Sequence, residues 1–402
     1  MNDSRTILVL TNDAGLGHRQ AALATVAALE QRYGDLCQPI LVNPLEEPGV
    51  PAVLRNTQSE FNRVVRFAPA LYRFGHGLAN TALPTRLMER LEVLTLSEPI
   101  GRVLDRVRPD VVVTTHPAFV YLLADYRRRW GEPWPVVVLV TDLARLQRLW
   151  FSREIDLYLV PTVEAATLAT RRGIAAERVH VTGIPVDLRL SERQARAEVH
   201  AAQGWDATLP TVLAVGSRRV HEFTTFLRAV NEAELPVQWV IVTGDDDELL
   251  AEVRAINWHG PAHLYGYVTE LPLWLRAVDA VVTKAGGLTV AEALAAGCPP
   301  FIIQCTPMHE RGNADYVVAH GAGVRAESPA ALVAALRRAL ADNGRPLAQL
   351  AECARALGRP RAAFHAAELI WAQAERHAAP RLLVEEVTTD FTDDTDFPEG
   401  KL

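Results

Sequence analysis

Lys284, Gly286, Gly287, Thr289 and Glu292 follow closely in the segment TKAGGLTVAEAL, and His309, Glu310 and Asn313 come shortly after it. An apolar run at 278–282 leads into the Thr-Lys-Ala-Gly-Gly turn, and a helical pattern carrying Glu292 follows. A strand, a glycine turn and a helix N-terminus together make an anion site, because free backbone N–H groups and the positive end of the helix dipole point at the strand's tip. The glycines let a ligand come close to the backbone. A carboxylate one turn into the helix can accept from both hydroxyls of a ribose diol. These residues read as a site for a nucleotide sugar. A strand–turn–helix unit whose glycines serve only tight packing fits the same spacing.

A second glycine turn stands near the start of the chain. An apolar run at 6–11 enters Asn-Asp-Ala-Gly-Leu-Gly-His, which contains Gly15, Gly17 and His18, and an alanine-rich helix follows at 19–33. Gln20 stands where the third glycine of a dinucleotide-binding turn would fall. At a helix start the dipole disfavours an imidazolium, so His18 would be a neutral ring able to take a proton. A histidine that merely caps the turn is the equal alternative.

The elements that must position these groups alternate strictly. Strand patterns at 39–43, 110–115, 136–141, 156–160 and 179–182 complete a first half, with a helix at 163–172. His116 and Asp142 fall at strand C-terminal ends, where a parallel sheet would turn them toward the same crevice as His18. After a polar connection at 188–208 the alternation restarts, with strands at 211–215, 237–243, 262–264, 280–283 and 301–304. Helices follow at 329–341, 347–357 and 362–377, the first announced by Ser328 and Pro329. The pattern predicts an α/β protein of two Rossmann-like domains facing across a cleft: 1–187, a connection at 188–208, 209–360, a helix at 361–378 that returns to the first domain, and a disordered acidic tail at 379–402.

Composition narrows the classes. Hydrophobic residues at 49% and charged residues at 22% are those of a globular protein, and 402 residues exceed one core. No apolar run has the length of a membrane span, and the first residues lack a signal-peptide pattern, so a cytoplasmic protein is expected, with attachment to the inner face of the membrane as the variant. Cys37, Cys298, Cys305 and Cys353 lack metal-ligand spacing and read as buried thiols. The tail from 381 carries seven acids against Arg381 and Lys401, five of the seven net negative charges. Lysine occurs only at 284 and 401, which singles out Lys284. A compact ammonium meets phosphate or sugar oxygens where a planar guanidinium does not fit. Residues 49–95 interleave six arginines with Phe61, Phe67, Tyr72 and Phe74, a pattern for an anionic membrane surface or for a helical excursion packed on its own domain. Nothing points to nucleic acid.

The GLGH turn at 15–18, THP at 115–117, TD at 141–142, TGIP at 182–185, TKAGGLTVAEAL and the P-x-x-E-x-x-N-A pattern at 307–314 together resemble glycosyltransferase family 28. Within it the chain is similar to the monogalactosyldiacylglycerol synthases and the processive diacylglycerol glucosyltransferases. The resemblance spans roughly residues 5–375. It implies the GT-B fold, a UDP-sugar donor, no metal and no other cofactor, inversion at the anomeric carbon, and a lipid acceptor held mainly by the first domain. By position, Glu292 would hold the ribose and Lys284, Gly286, Gly287 and Thr289 would line the diphosphate or sugar. His309, Glu310 and Asn313 would sit by the hexose, and His18 would lie at the reacting centre. Gly15, Gly17, His116 and Asp142 would be on the acceptor side. Gly216, Ser217 and Arg218 would meet the donor in a loop that the family usually fills with more glycine. Gln147 and Arg148 occupy the region where lipid galactosyltransferases usually carry a histidine, and His309 replaces the family's usual Gln. A degenerate protein that binds nucleotide or lipid without turnover, and a transferase or epimerase of the same fold with another acceptor, are the competing readings.

Overall fold

The computed structural model describes residues 4–13, 16–51, 55, 82–192, 195–217, 220–305 and 310–385. Gly15, Arg218 and His309, most of the arginine–aromatic segment and the acidic tail beyond 385 lie outside the described residues.

The first sheet has strands β1 (Arg5–Leu10), β2 (Cys37–Val42), β3 (Val111–Thr114), β4 (Val136–Leu139), β5 (Leu157–Val160) and β6 (Val179–Val181), all parallel, in the order β2-β1-β3-β4-β5-β6. Every residue of β3, β4 and β5 is buried. Both faces of a parallel sheet are covered, which is why these strands read as unbroken Val/Leu runs. Alternate residues serve the two faces. Leu8, Leu10, Val112 and Val138 pack beneath α2 (Ala82–Val107) and α3 (Ala118–Trp130), while Ile7, Val9, Val113 and Leu139 face α1 (Leu16–Tyr33). α4 (Val163–Arg171) closes this half, with Thr162 accepting from the Ala165 N–H at 3.1 Å as its N-cap.

The second sheet has β7 (Thr211–Val215), β8 (Gln238–Val242), β9 (Ala262–Tyr265), β10 (Ala280–Lys284), β11 (Pro300–Gln304) and β12 (Val324–Arg325) in the order β12-β11-β10-β7-β8-β9, again parallel. Its layers are α5 (Arg196–Gln203), α6 (Phe223–Glu232), α7 (Asp247–Arg254), α8 (Leu271–Ala277), α9 (Gly287–Ala296), α10 (Glu310–Ala319) and α11 (Pro329–Leu357). α11 is two helical stretches: residues 341–344 leave helical geometry, and Asp342, Asn343 and Gly344 turn left-handed at φ 50°, 56° and 77°. The sequence pattern missed β12, since a two-residue strand has no periodicity to read. It also assigned α5 to the interdomain connection, but Val199 and Trp205 join the core of the second sheet.

The last helix, α12 (Ala362–Glu385), crosses back to the first domain. Ala363, Ala366, Ala367, Ile370 and Ala374 form one buried stripe against Ala22, Ala28 and Leu29 of α1. Small residues on both helices let the two backbones approach closely. Tyr33 stacks on Trp371 at 4.4 Å and Arg32 pairs with Glu368 at 2.8 Å. A further apolar cluster spans both domains, joining Ala21, Leu143, Ile184 and Val186 to Ala285, Val290, Leu294 and Ala314.

Candidate active site

In each sheet the chain reverses direction of growth once. The crevice at such a switch point, beyond the strand C-termini, is where open α/β sheets bind ligands. The first switch lies between β1 and β3, the second between β7 and β10. All the chemistry-bearing residues described below hang from these strand ends or from their neighbours β4 and β11.

At the first switch, His18 sits in the opening turn of α1, directly after β1. Its Nδ1 lies 2.8 Å from the Thr115 carbonyl and 2.7 Å from Thr141 Oγ1. A carbonyl can only accept, so Nδ1 carries the hydrogen, and a neutral ring then has its lone pair at Nε2. Thr115 is fixed in turn, its hydroxyl donating to Thr11 at 3.1 Å. His116 meets His18 edge to face at 4.7 Å, and its Nε2 is 3.2 Å from the Asn12 amide. Its Nδ1 accepts from the Ala118 N–H at 3.3 Å. Burial, and then the nearby His18, hold the His116 pKa well below the ordinary histidine value. Trp150, wholly buried, backs the pair with its ring 6.2 Å from His18.

At the second switch, β10 ends at Lys284 and α9 begins at Gly287, with Gly286 as N-cap. A glycine N-cap brings no side chain to the N–H groups of the first turn. Lys284 Nζ pairs with Glu310 Oε1 at the start of α10, above Gly286. Glu310 is 5% exposed, and its Oε2 has no hydrogen-bond partner among the described residues. Gly216 follows β7 and is buried: a Cβ there would come within 2.5 Å of the Phe223 ring. Glu292 is half-buried one turn into α9. Burial and the neighbouring Asp187 push its carboxyl pKa up to about 8, against the opposing pull of Arg189.

The two switches touch. Gly17 of α1 packs against Leu288 of α9, and a Cβ at Gly287 would lie 2.3 Å from the Thr141 carbonyl. Glycine is required at 287 by this approach between domains. Of the two readings of the glycine turn that the spacing left open, the tight-packing one is seen directly.

Residues 18–186 match the family described as monogalactosyldiacylglycerol (MGDG) synthase, and residues 209–342 match glycosyl transferases group 1. The monogalactosyldiacylglycerol synthase of Spinacia oleracea is 26% identical over 371 residues, covering 90% of this chain and 71% of its own. Monogalactosyldiacylglycerol synthase 3 of Arabidopsis thaliana is 26% identical over 381 residues, covering 90% and 79%. The chain is thus similar to monogalactosyldiacylglycerol synthases, by the family match over residues 18–186 and by the resemblance of most of its length to the plant enzymes. It is a glycosyltransferase. Among solved structures, MurG of Acinetobacter baumannii superposes with a TM-score of 0.58 at 16% identity, over 92% of this chain and 99% of that one. A putative UDP-N-acetylglucosamine 2-epimerase of Listeria monocytogenes gives 0.59 at 15%, over 98% and 99%. These two establish the GT-B architecture.

The expected site residues separate into three groups. His18, His116, Lys284, Gly286, Gly287, Thr289 and Glu292 lie at the two switch points, and Ser217 follows Gly216 at the end of β7. Lys284 and Glu310, assigned to different parts of the donor, pair with each other. Asn313, expected beside the hexose, is 0% exposed instead, and its amide bridges the domains: Oδ1 accepts from the Leu143 N–H at 2.8 Å and Nδ2 donates to the Ala285 carbonyl at 3.0 Å. Asp142 is buried, flanked in the chain by Thr141 and Leu143, which both touch the second domain. Sequence reasoning missed Thr115, Thr141 and Asn12 as partners of the histidines, and Asp187 and Arg189 beside Glu292. The motifs THP, TD and TGIPVD contain or adjoin most of them, but a motif does not say which atoms meet.

Proposed function

We propose that the protein transfers a hexose from a UDP-sugar to the hydroxyl of a diacylglycerol-like membrane lipid, with inversion at the anomeric carbon and without a metal ion. The observation that carries this reading is the 2.8 Å approach of His18 Nδ1 to the Thr115 carbonyl, which fits an Nδ1–H tautomer whose Nε2 acts as the base. The acceptor hydroxyl gives its proton to Nε2 as its oxygen attacks the anomeric carbon. The bond from that carbon to the diphosphate oxygen breaks on the opposite face, and UDP leaves. Charge developing on the diphosphate is met by the N–H groups opening α9 and by Lys284. Glu292, protonated near neutral pH, can both donate to and accept from ribose hydroxyls.

The relatives' names support a diacylglycerol-like acceptor. Among the described residues no helix is long and apolar enough to cross a membrane, so this reading has the enzyme meet its lipid at a membrane surface. Leu91 and Leu94 of α2, 59% and 83% exposed beside Arg90, lie at the end of the arginine–aromatic segment and support that placement.

The test incubates purified protein with a panel of UDP-sugars, with and without vesicles containing diacylglycerol, and with and without EDTA. Lipid-dependent UDP release unaffected by EDTA is expected, with a product of inverted anomeric configuration by NMR. UDP release at the same rate without lipid would sink the proposal.

A further inference from the structure

The loop after β4 holds the two switch points at a fixed distance. Thr141 uses its hydroxyl on His18 Nδ1, at 2.7 Å, and presses its carbonyl on Gly287. Two residues on, the Leu143 N–H donates to Asn313 Oδ1, while the Leu143 carbonyl accepts from Thr162 Oγ1 at 2.7 Å. Asn313 then reaches back to the Ala285 carbonyl, inside the glycine turn itself. Arg145 ends the loop against α10, where a Cβ at Gly312 would lie 2.4 Å from its Cβ, and it pairs with Asp315 at 2.9 Å. A continuous bonded path therefore runs from the imidazole through 141–143 and one amide to the turn that would cradle the diphosphate.

We propose that Asn313 is a positioning residue that sets the distance between His18 and the donor turn, rather than a ligand for the hexose. The proposal rests on the transferase reading for its kinetic consequence, but the bridge itself is a property of the free protein. A buried amide that satisfies one donor and one acceptor on opposite domains is specific in both length and direction. Leu143 and Ala285 offer backbone groups only, so no side-chain change at either can replace it. Without the bridge, the two domains keep their apolar contact but lose its register, and water gains entry to the cleft. A reacting geometry displaced by about 1 Å costs about 100-fold in rate.

The experiment compares the full-length wild type with Asn313→Ala and Asn313→Asp. Asp keeps the acceptor for Leu143 but sets a carboxylate oxygen against the Ala285 carbonyl. Gly312→Ala opens the same joint from the Arg145 side and keeps the amide, which covers the case that Asn313→Ala does not fold. Hydrogen exchange followed by mass spectrometry reads the bridge without any substrate. The segments around 141–145 and 285–290 should lose protection together in each variant while the two sheets keep theirs. In kinetics, kcat for lipid glycosylation should fall about 100-fold, KM for the UDP-sugar should hold, and the share of sugar released to water should rise. A raised KM with unchanged exchange in both segments would overturn the proposal and return Asn313 to the hexose. If the wild type transfers no sugar to lipid, the transferase reading fails while the exchange result still decides the bridge.

Discussion

The two Rossmann-like domains share an architecture and differ in what they place at the switch point. The first presents two imidazoles, three threonine hydroxyls and a buried indole around β1, β3 and β4. The second presents two glycines, an uncapped helix start, a lysine and two carboxylates around β7, β10 and β11. Side chains crowd the first crevice and backbone lines the second. A proton acceptor must be held in one tautomer at one place, which takes a scaffold of hydrogen bonds to its far nitrogen. A diphosphate needs many donors at close range, which bare backbone supplies. On the proposed reading, the first domain carries the proton chemistry and the second binds the anion.

That division can be broken most sharply at His18. His18→Ala should lower kcat by about 10²–10⁴-fold and leave UDP affinity by calorimetry unchanged; a comparable loss of UDP affinity would end the division of labour. The next effect in size is at Lys284. Lys284→Met strands the buried Glu310 carboxylate and should cost about 3 kcal/mol in denaturant unfolding. Lys284→Met combined with Glu310→Gln should recover much of that loss, and a double variant no better than the single one would count against the pairing.

Glu292 sharpens the donor side. Glu292→Ala should weaken UDP binding about tenfold to a hundredfold with kcat at saturating donor little changed. Glu292 also makes a pH prediction. Below its unfolded pKa of 4.5 both states hold the proton, and between 4.5 and about 8 the unfolded chain ionises while the folded carboxyl does not. Stability therefore falls with rising pH through that window and levels off above it. Glu292→Gln should flatten the curve of melting temperature against pH there, and an unchanged curve would mean that the carboxyl titrates normally. The smallest effect concerns neither crevice. Glu368→Ala removes a half-exposed ion pair to Arg32 and should cost about 0.5 kcal/mol, since α12 is held by its alanine stripe; a much larger loss would give the ion pair the main role.

Much of the fold was legible because a parallel sheet covered on both faces needs unbroken apolar strands, and these announce themselves. The positions of His18, Lys284, Gly287 and Glu292 were legible too, because strand ends and helix starts follow from the same pattern. The sequence by itself determined two α/β halves, their glycine turns and the residue types at each. Only the tertiary structure decided which groups meet. Asn313 stands 170 residues from Leu143, and Thr141 stands 123 from His18. Contacts at that separation are set by how two sheets twist and dock, not by local spacing. For the same reason Lys284 and Glu310, read separately as donor contacts, pair with each other, and Asn313 sits at the joint between the domains.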